Sequence, residues 1–216
     1  MRTNLRSVLF TTALALTVSC SAGRGQELKS IPLPPPQTEG GRPLMEALKL
    51  RRSTREFKRA SLSDQALANL LWAGFGVNRP ESGNRTAPSA MNSQEVDIYV
   101  ALAQGLYLYD AKANELKAVS GEDLRAKTNR QPSIKDASAV LIFVADLARL
   151  AKAKEEMRPL YADFSAGCIS QNVSLYCSSA GLATSVYDLD RAPLAAAMKL
   201  KPEQRIILAQ AVGFPK

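Results

Sequence analysis

The chain has 216 residues, of which 46% are hydrophobic and 22% are charged, a composition typical of a globular protein with one substantial core. The formal net charge of +8 favours anionic small molecules or anionic lipid surfaces as partners. Basic residues are scattered beyond residue 60 in no nucleic-acid-reading motif, so we expect no nucleic acid partner. The sequence has no histidine, which excludes Ser-His-Asp and Cys-His hydrolases and ordinary histidine metal sites.

Residues 1–19 have the features of an export signal, since a basic start precedes an apolar run over 8–16. The Val-Ser-Cys run that ends at Cys20 resembles a bacterial lipoprotein cleavage box, from which Thr17 departs. Lipidation of Cys20 and plain cleavage near Ala22 are the two alternatives. Both leave no transmembrane helix, and the loss of two arginines lowers the net charge from +8 to +6. We therefore expect an exported protein that is either periplasmic or anchored to a membrane as a lipoprotein.

Residues 20–41 are predicted to form a linker. Four prolines between positions 32 and 36 favour an extended polyproline segment, and Gly40-Gly41 close it. At ~3.1 Å per residue, such a tether would hold a domain several nanometres from a membrane. Residues 42–216 are predicted to form a single domain.

Two helices are predicted to open the domain. The first covers about residues 43–51, and the second begins after Ser63 as its N-cap and ends at Gly74 and Gly76. Between them lies RRSTREF, residues 51–57, with three arginines and two hydroxyl side chains in its first five positions. Guanidinium groups offer planar forks of donors, so this stretch suits a compact dianion. A solvated basic helix end is the alternative, because cations also suit the C-terminal end of a helix dipole.

Residues 77–94 are predicted to be a loop rich in Asn, Ser, Gly and Pro, and loops of this length are usually functional or disordered. The loop ends in the run APSAMNSQ over residues 87–94. Arg85 in this loop is either a solvated surface residue or one that attracts an anionic substrate.

Strands are predicted next. Alternating apolar and polar residues over 96–102 indicate a half-buried strand, and shorter strands over 106–110 and 115–119 would complete an antiparallel meander. The continuous apolar run over 139–145 is typical of a central strand. A short helix over 122–127 lies between them.

The last third alternates helices and strands. A charged helix is expected to follow the central strand as far as Met157, and a longer helix of mostly small residues covers 161–180. Its two cysteines are nine residues apart and therefore on opposite faces, ~13.5 Å apart along the axis, too far for a disulfide. A strand within 182–187, a helix over 192–198 and a strand over 205–212 complete the prediction.

Four features follow one another along the chain: RRSTREF, APSAMNSQ, the small-residue helix and the final AVGFPK. Together they resemble the FMN-dependent nitroreductase family over residues 42–216. The resemblance is greater to the short branch that includes thiazole- and oxazole-forming dehydrogenases of peptide maturation. It implies an α+β fold with a mainly antiparallel central sheet flanked by helices. It also implies an intertwined homodimer with one FMN at each of two subunit boundaries.

The resemblance further implies which residues bind FMN. The first segment would contact the phosphate and the pyrimidine side of the ring, and the second, often from the partner subunit, the ring and ribityl hydroxyls. Backbone groups after the long helix would approach the flavin N5 edge, and a terminal cation would contact the phosphate. In this sequence the matching residues are Arg51, Arg52, Ser53 and Arg55; Pro88, Ser89, Asn92 and Gln94; Ser185 and Val186; and Lys216.

A flavin carries hydride and electron chemistry itself, so the absence of histidine and of a nucleophile is compatible with catalysis. We therefore predict an FMN-dependent oxidoreductase that transfers two electrons to or from a small organic substrate by a ping-pong mechanism, with NAD(P)H or another donor. The alternative is a flavin-binding or flavin-carrying lipoprotein of the cell envelope without turnover.

Overall fold

The computed structural model describes residues 28–128 and 132–216. The predicted export signal and Cys20 lie outside the described residues, so signal cleavage and lipidation stay predictions. Among the described residues, no helix combines the length and the apolar character that crossing a membrane requires.

The described part of the chain contains four α-helices and ten strands. The helices are α1 (Leu44–Leu50), α2 (Asp64–Phe75), α3 (Arg158–Ala180) and α4 (Arg191–Met198). The strands are β1 (Ile31–Pro32), β2 (Phe57–Lys58), β3 (Val77–Arg79), β4 (Asn84–Arg85), β5 (Val96–Leu102), β6 (Gly105–Asp110), β7 (Glu115–Ser120), β8 (Ala139–Asp146), β9 (Ala183–Tyr187) and β10 (Gln204–Pro215).

One large sheet has the strand order β1-β7-β6-β5-β8-β10, and β10 also pairs with β9 and, through its last two residues, with β2. All of these pairs are antiparallel. The predicted meander is β5-β6-β7, and the predicted central strand is β8, which lies between β5 and β10. The α+β fold with an antiparallel central sheet is therefore confirmed.

Each face of the sheet has its own core. On one face α2 and α3 pack against Val100, Leu141 and Phe143. On the other face Leu194 of α4 packs with Val140 and with residues of the 121–138 segment. Strands buried on both faces need apolar residues at successive positions, which explains the unbroken apolar run of β8.

The long helix packs closely against α2. Ser63 caps α2 as predicted, its hydroxyl accepting from the Ala66 N–H at 3.2 Å. Gly74 lies inside α2, where an added Cβ would come within 3.0 Å of Val173 on α3. Gly76 is the C-cap, so only the second of the two predicted glycines ends the helix. The absence of a side chain at Gly74 thus permits the close approach of α2 and α3.

Two predicted helices are wrong. Residues 147–157 contain two short 3₁₀ turns instead of a charged helix, because the Ala153 N–H donates to the Leu150 carbonyl three residues earlier and Lys154 then has an extended backbone. Pro159 then favours a new helix start at the beginning of α3. Residues 125–127 form only one 3₁₀ turn, since the Asp123 carboxylate accepts from the Arg125 N–H and competes with helical bonding.

The proline-rich segment lies against the domain over much of its length; we call residues 28–42 the N-terminal strap. Leu33 is buried, its N–H donates to the Asn114 carbonyl, and the Asn114 amide donates back to the carbonyls of Leu33 and Pro34. Ile31 pairs with β7 at the sheet edge. The part of the predicted linker from Ser30 to Gln37 is therefore packed on the domain rather than extended away from it.

The strap continues across α2 towards α3. The Gln65 side-chain amide of α2 donates to the Pro35 main-chain carbonyl at 3.0 Å. The Gln37 N–H donates to the side-chain oxygen of Asn69 at 2.8 Å. Past Gly40-Gly41, the Arg42 N–H donates to the Ser179 hydroxyl at 2.7 Å. The strap thus connects the outer sheet edge to the C-terminal end of α3.

Candidate functional site

A cleft of about 360 Å³ lies between the C-terminal end of α1, the C-terminal third of α3 and the start of β9. Its volume is within the range of ligand pockets, roughly 300–1,000 Å³. The lining residues are Arg42, Lys49, Leu50, Arg51, Arg52, Thr54, Ser174, Ser178, Gly181, Leu182, Ala183, Thr184 and Pro215.

Hydrogen bonds hold the walls of the cleft together. Ala47 of α1 is buried where α1 meets α3. Its carbonyl accepts from the Ser178 hydroxyl at 2.7 Å and from the Arg51 N–H at 3.0 Å. The Thr54 N–H donates to the Thr184 carbonyl at 2.8 Å. The segment that follows α1 is therefore fixed at one end to α1 and at the other end to β9.

The cleft is strongly cationic. Arg42 is paired with Glu46, whereas Lys49, Arg51 and Arg52 take part in no salt bridge among the residues that the structure describes. The Thr54 hydroxyl adds a neutral donor, whereas the hydroxyls of Ser174, Ser178 and Thr184 already donate to main-chain carbonyls. Several convergent cations form a site for an anion such as a phosphate.

The first predicted segment is thus only partly in the cleft. Arg51 and Arg52 line it, whereas Ser53 and Arg55 are exposed beside it. Lys216 is exposed as well, and its N–H donates to the Glu56 carbonyl at 3.4 Å. Its neighbour Pro215 is the lining residue, so the phosphate contact of Lys216 stays a prediction.

The predicted N5-edge residues continue from the cleft along β9. Ser185 is buried and pairs with Ala211, and Val186 is 40% exposed and pairs with Gln210. Behind them, burial raises the pKa of the Tyr187 phenol, which is hydrogen-bonded to the Thr128 hydroxyl at 2.8 Å. This bond fixes the end of β9 to the 121–138 segment.

The second predicted segment is built by an internal hydrogen-bond network. The Ser89 hydroxyl accepts from the Gln94 N–H at 2.9 Å, and the Gln94 side chain donates to the Gly83 carbonyl at 3.0 Å. Met91, Asn92 and Gln94 all have left-handed backbone conformations, with φ of 52°, 53° and 48°. Such conformations persist in non-glycine residues only where surrounding contacts stabilise them, and they are concentrated at functional sites.

The loop before this segment is ordered, because β3 and β4 form a small hairpin within residues 77–94. The interpretation of Arg85 as a solvated surface residue is wrong, and its attraction of an anionic substrate stays a prediction. Its guanidinium is half-buried, lies 4.7 Å from the Phe75 ring centroid, and donates to the Gln94 side-chain oxygen at 2.8 Å. Burial lowers the pKa of Arg85. Arg85 therefore supports the second segment with a side chain that is partly withdrawn from solvent.

Replacing Arg85 by Met should destabilise the chain by about 1–3 kcal/mol. The Gln94 side-chain oxygen and the Phe75 main-chain carbonyl would each lose a charged donor. Urea unfolding of purified variants measures the change. Arg59→Met is the matched control, since Arg59 is 75% exposed in its pair with Asp136 and should change stability by less than about 1 kcal/mol. Equal urea midpoints for the two variants would show that Arg85 does not stabilise the domain.

The chain does not bring its two predicted segments into one cleft. None of residues 88–94 lines the cleft described above. Instead the neighbouring Thr86 carbonyl accepts from Asn172 on α3, and the Gln94 carbonyl accepts from Arg149. A ligand that needs both segments must therefore obtain the second from another chain or through a rearrangement.

Comparison with known proteins decides the family. The model described as the nitroreductase family matches residues 48–214. This chain belongs to that family. The predicted family membership is therefore confirmed, and the closer resemblance to the thiazole- and oxazole-forming branch stays a prediction.

Three relatives show how far the likeness extends. A Methanocaldococcus jannaschii protein assigned as a nitroreductase is 30% identical over 151 residues, which are 65% of this chain and 76% of that protein. A crystal structure from Ralstonia eutropha JMP134, also assigned as a nitroreductase, is 40% identical with a TM-score of 0.84 and covers 89% of this chain and 92% of its own. A Desulfovibrio desulfuricans structure with the same assignment, in complex with FMN, is 23% identical with a TM-score of 0.58, covers 82% and 88%, and shows the fold alone.

In this nitroreductase-family chain, the sequence motifs missed several cleft residues. Ser174 and Ser178 are four residues apart on α3, so they share one helix face, and that spacing was a readable signal. Arg42 and Lys49 belong to no motif. Lys49 reaches the cleft because α1 packs on α3, and Arg42 because its N–H donates to the Ser179 hydroxyl of α3. Thr184 lies on β9 directly before the predicted Ser185.

Proposed function

We propose that the chain is an FMN-dependent oxidoreductase of the nitroreductase family that transfers two electrons to or from a small organic substrate. The observation that carries the proposal is the cationic cleft, which the RRST segment forms with α3 and β9. The family membership and the FMN complex of the Desulfovibrio relative support the cofactor.

The residues of the cleft fit FMN chemically. Arg51, Arg52 and Lys49 offer cations to a phosphate monoester, which carries close to two negative charges at neutral pH. The Thr54 hydroxyl offers a donor to the polar groups of the ribityl chain and ring, and the Ser178 oxygen, whose hydrogen is bonded to the Ala47 carbonyl, offers an acceptor. Bound FMN supplies hydride and electron chemistry. The protein accordingly needs to bind, orient and shield its cofactor, and a ping-pong order suits one shared binding face for donor and acceptor.

We propose that the second segment comes from the partner subunit of a homodimer. It is preformed by its own network, yet it lies outside the cleft of the same chain. Helices α1 and α3 also expose apolar side chains at the surface, including Met45 at 75% and Phe164 at 65% exposure. Leu44, Leu48 and Leu50 of α1 and Leu160 of α3 are exposed as well, and large exposed apolar areas mark interaction sites. A second copy would cover these helices and complete each cleft.

Replacing Phe164 by Lys should weaken the dimer, because burial of an unpaired ammonium at an interface opposes association. Sedimentation equilibrium at micromolar concentration should show a dimer for the unaltered chain and a larger monomer fraction for the variant, with FMN lost in parallel. Val119→Lys, at a position that is 43% exposed on β7, is the control that should stay dimeric. A monomer that retains FMN fully would contradict the shared site.

The test of the proposed function is a visible spectrum followed by anaerobic addition of NADH, NADPH or dithionite. Residues 28–216 should purify with, or take up, FMN, and a physiological type of donor should bleach the absorbance near the flavin maximum. A colourless chain that takes up no FMN overturns the proposal. A yellow chain that only dithionite bleaches would instead indicate a flavin carrier without turnover.

We further propose that the chain is exported, with lipid on Cys20 or cleavage nearby, on the strength of its basic and apolar N-terminal sequence. The strap leaves only residues before Ser30 to span the distance to a membrane, since the following residues pack on the domain. The mass of the mature protein tests lipidation, because a mass without acyl chains excludes it.

A further inference from the structure

A buried amide lies behind the cleft. Gln210 of β10 is fully buried, and its side-chain nitrogen donates to the Ser174 hydroxyl of α3 at 3.1 Å and to the Thr184 hydroxyl of β9 at 3.0 Å. Ser174 and Thr184 both line the cleft. One side chain from the central sheet therefore bonds to two opposing walls of the cleft.

The orientation of this amide follows from its surroundings. The Ser174 hydroxyl donates to the Ser170 carbonyl at 3.0 Å, and the Thr184 hydroxyl donates to the Ala211 carbonyl at 2.9 Å. Both hydroxyl hydrogens are thus already used, so each oxygen can only accept, and the Gln210 nitrogen must face them. Burial also raises the pKa of the adjoining Cys177 thiol to about 12, so this thiol carries no charge.

The arrangement leaves a cost in stability. The side-chain oxygen of Gln210 has no hydrogen-bond partner among the described residues, although the residue is fully buried. A buried acceptor without a donor is unfavourable, and an apolar side chain of similar shape would avoid that loss. Stability alone therefore does not account for an amide at this position.

The network also reaches the cationic segment. The Thr184 main-chain oxygen accepts from the Thr54 N–H at 2.8 Å, directly after Arg51 and Arg52. A shift of Thr184 would move Thr54 and, with it, the guanidinium groups that line the cleft. Two hydrogen bonds, Gln210 to Thr184 and Thr54 to Thr184, thus connect Gln210 to the segment that carries Arg51 and Arg52.

We propose that Gln210 is a positioning residue for the cofactor cleft. Its amide fixes the separation of α3 and β9 and, through Thr184, the placement of the Thr54 end of the RRST segment. It touches no ligand itself. The inference rests on the proposed function, since the ligand that it positions the cleft for is FMN.

Gln210→Met tests the inference, because Met has a similar length and carries no amide. In the apo form the urea midpoint should be equal to or above that of the unaltered chain, since the unpartnered oxygen is gone. The Kd for FMN, measured by quenching of flavin fluorescence, should rise roughly tenfold, as expected for one lost hydrogen-bond link. A purely structural role would instead lower the midpoint and leave the Kd unchanged. Lys112→Met, at the exposed turn between β6 and β7, is the control that should change neither value.

Two further variants keep the test decisive if Gln210→Met fails to fold. Ser174→Ala and Thr184→Val each remove one acceptor, and the double variant should weaken FMN binding by less than the product of the two single effects, because both act through Gln210. Normal FMN affinity in Gln210→Met, or independent effects of the two acceptor variants, overturns the inference alone. An unaltered chain that takes up no FMN overturns the proposed function and this inference with it.

Discussion

Replacing Arg51 by Ala should weaken FMN binding by roughly ten- to a hundredfold, the largest effect that we expect from a single change in the cleft. A charge-assisted hydrogen bond contributes about 1.5–3 kcal/mol, and Arg51 lines the cleft without a carboxylate partner among the described residues. The side chain is exposed in the free chain, so its removal leaves no buried partner behind and the loss should appear in binding instead of folding.

Titration of the apo protein with FMN, followed by fluorescence quenching, measures this loss. Arg51→Lys should retain part of the affinity, because an ammonium keeps the charge but not the planar fork of donors. Arg59→Ala is the matched control, since Arg59 is 75% exposed and pairs with Asp136 away from the cleft. Raising the salt concentration should reduce the difference between Arg51→Ala and the unaltered chain. An unchanged Kd in Arg51→Ala refutes the phosphate assignment of the RRST segment.

Removing the N-terminal strap should destabilise the domain by several kcal/mol. A chain that begins at Arg42 loses the buried Leu33 side chain, and truncation of a buried Leu to Ala alone costs about 2–5 kcal/mol. It also exposes the edge of β7 that pairs with Ile31, and an unprotected edge strand favours aggregation. We therefore expect residues 42–216 to unfold at a lower temperature than residues 28–216 and to aggregate more readily.

Thermal unfolding followed by circular dichroism compares the two chains. Leu33→Ala in the longer chain should reproduce a part of the loss, near the lower end of that range because the strap lies at the surface. Val119→Ala on β7 is the control, since its side chain is 43% exposed and should change the free energy of unfolding by less than about 0.5 kcal/mol. Equal midpoints for the chains beginning at residues 28 and 42 would show that the strap is only a linker after all.

The strap also has its two ends in different parts of the domain. Its last residue, Arg42, lines the cleft, and its Ile31 end lies on the opposite edge of the sheet at β7. The described residues of the strap therefore begin on the β7 side and end at the cleft.

Much of the fold could be read from the sequence because its signals are local. Three patterns each specify one element over a short stretch of sequence. They are the alternation of β5, the apolar run of β8 and the small residues of α3. The order of the two motifs, RRSTREF and APSAMNSQ, likewise identified the family, since motif order survives without knowledge of contacts.

The misread segments depended on contacts between residues that are distant in the sequence. Gln37 bonds to a residue 32 positions away and Arg42 to one 137 positions away, and no periodicity within the strap signals either bond. The segment 147–157 has helix-forming residues, yet the extended backbone of Lys154 interrupts it, and the Leu147 N–H donates to the distant Glu203 carbonyl. Tertiary contacts override local propensity in this segment.

For this protein, the sequence by itself determined the family, the order of the elements and the cationic segment around which the cleft forms. Only the tertiary structure decided that the strap belongs to the domain, that Arg85 supports a loop, and that Gln210 stands behind both walls of the cleft. The physical reason is that residue type and spacing report local preference. Hydrogen bonds such as Gln210 to Ser174, 36 residues apart, exist only after the sheet and α3 have packed together.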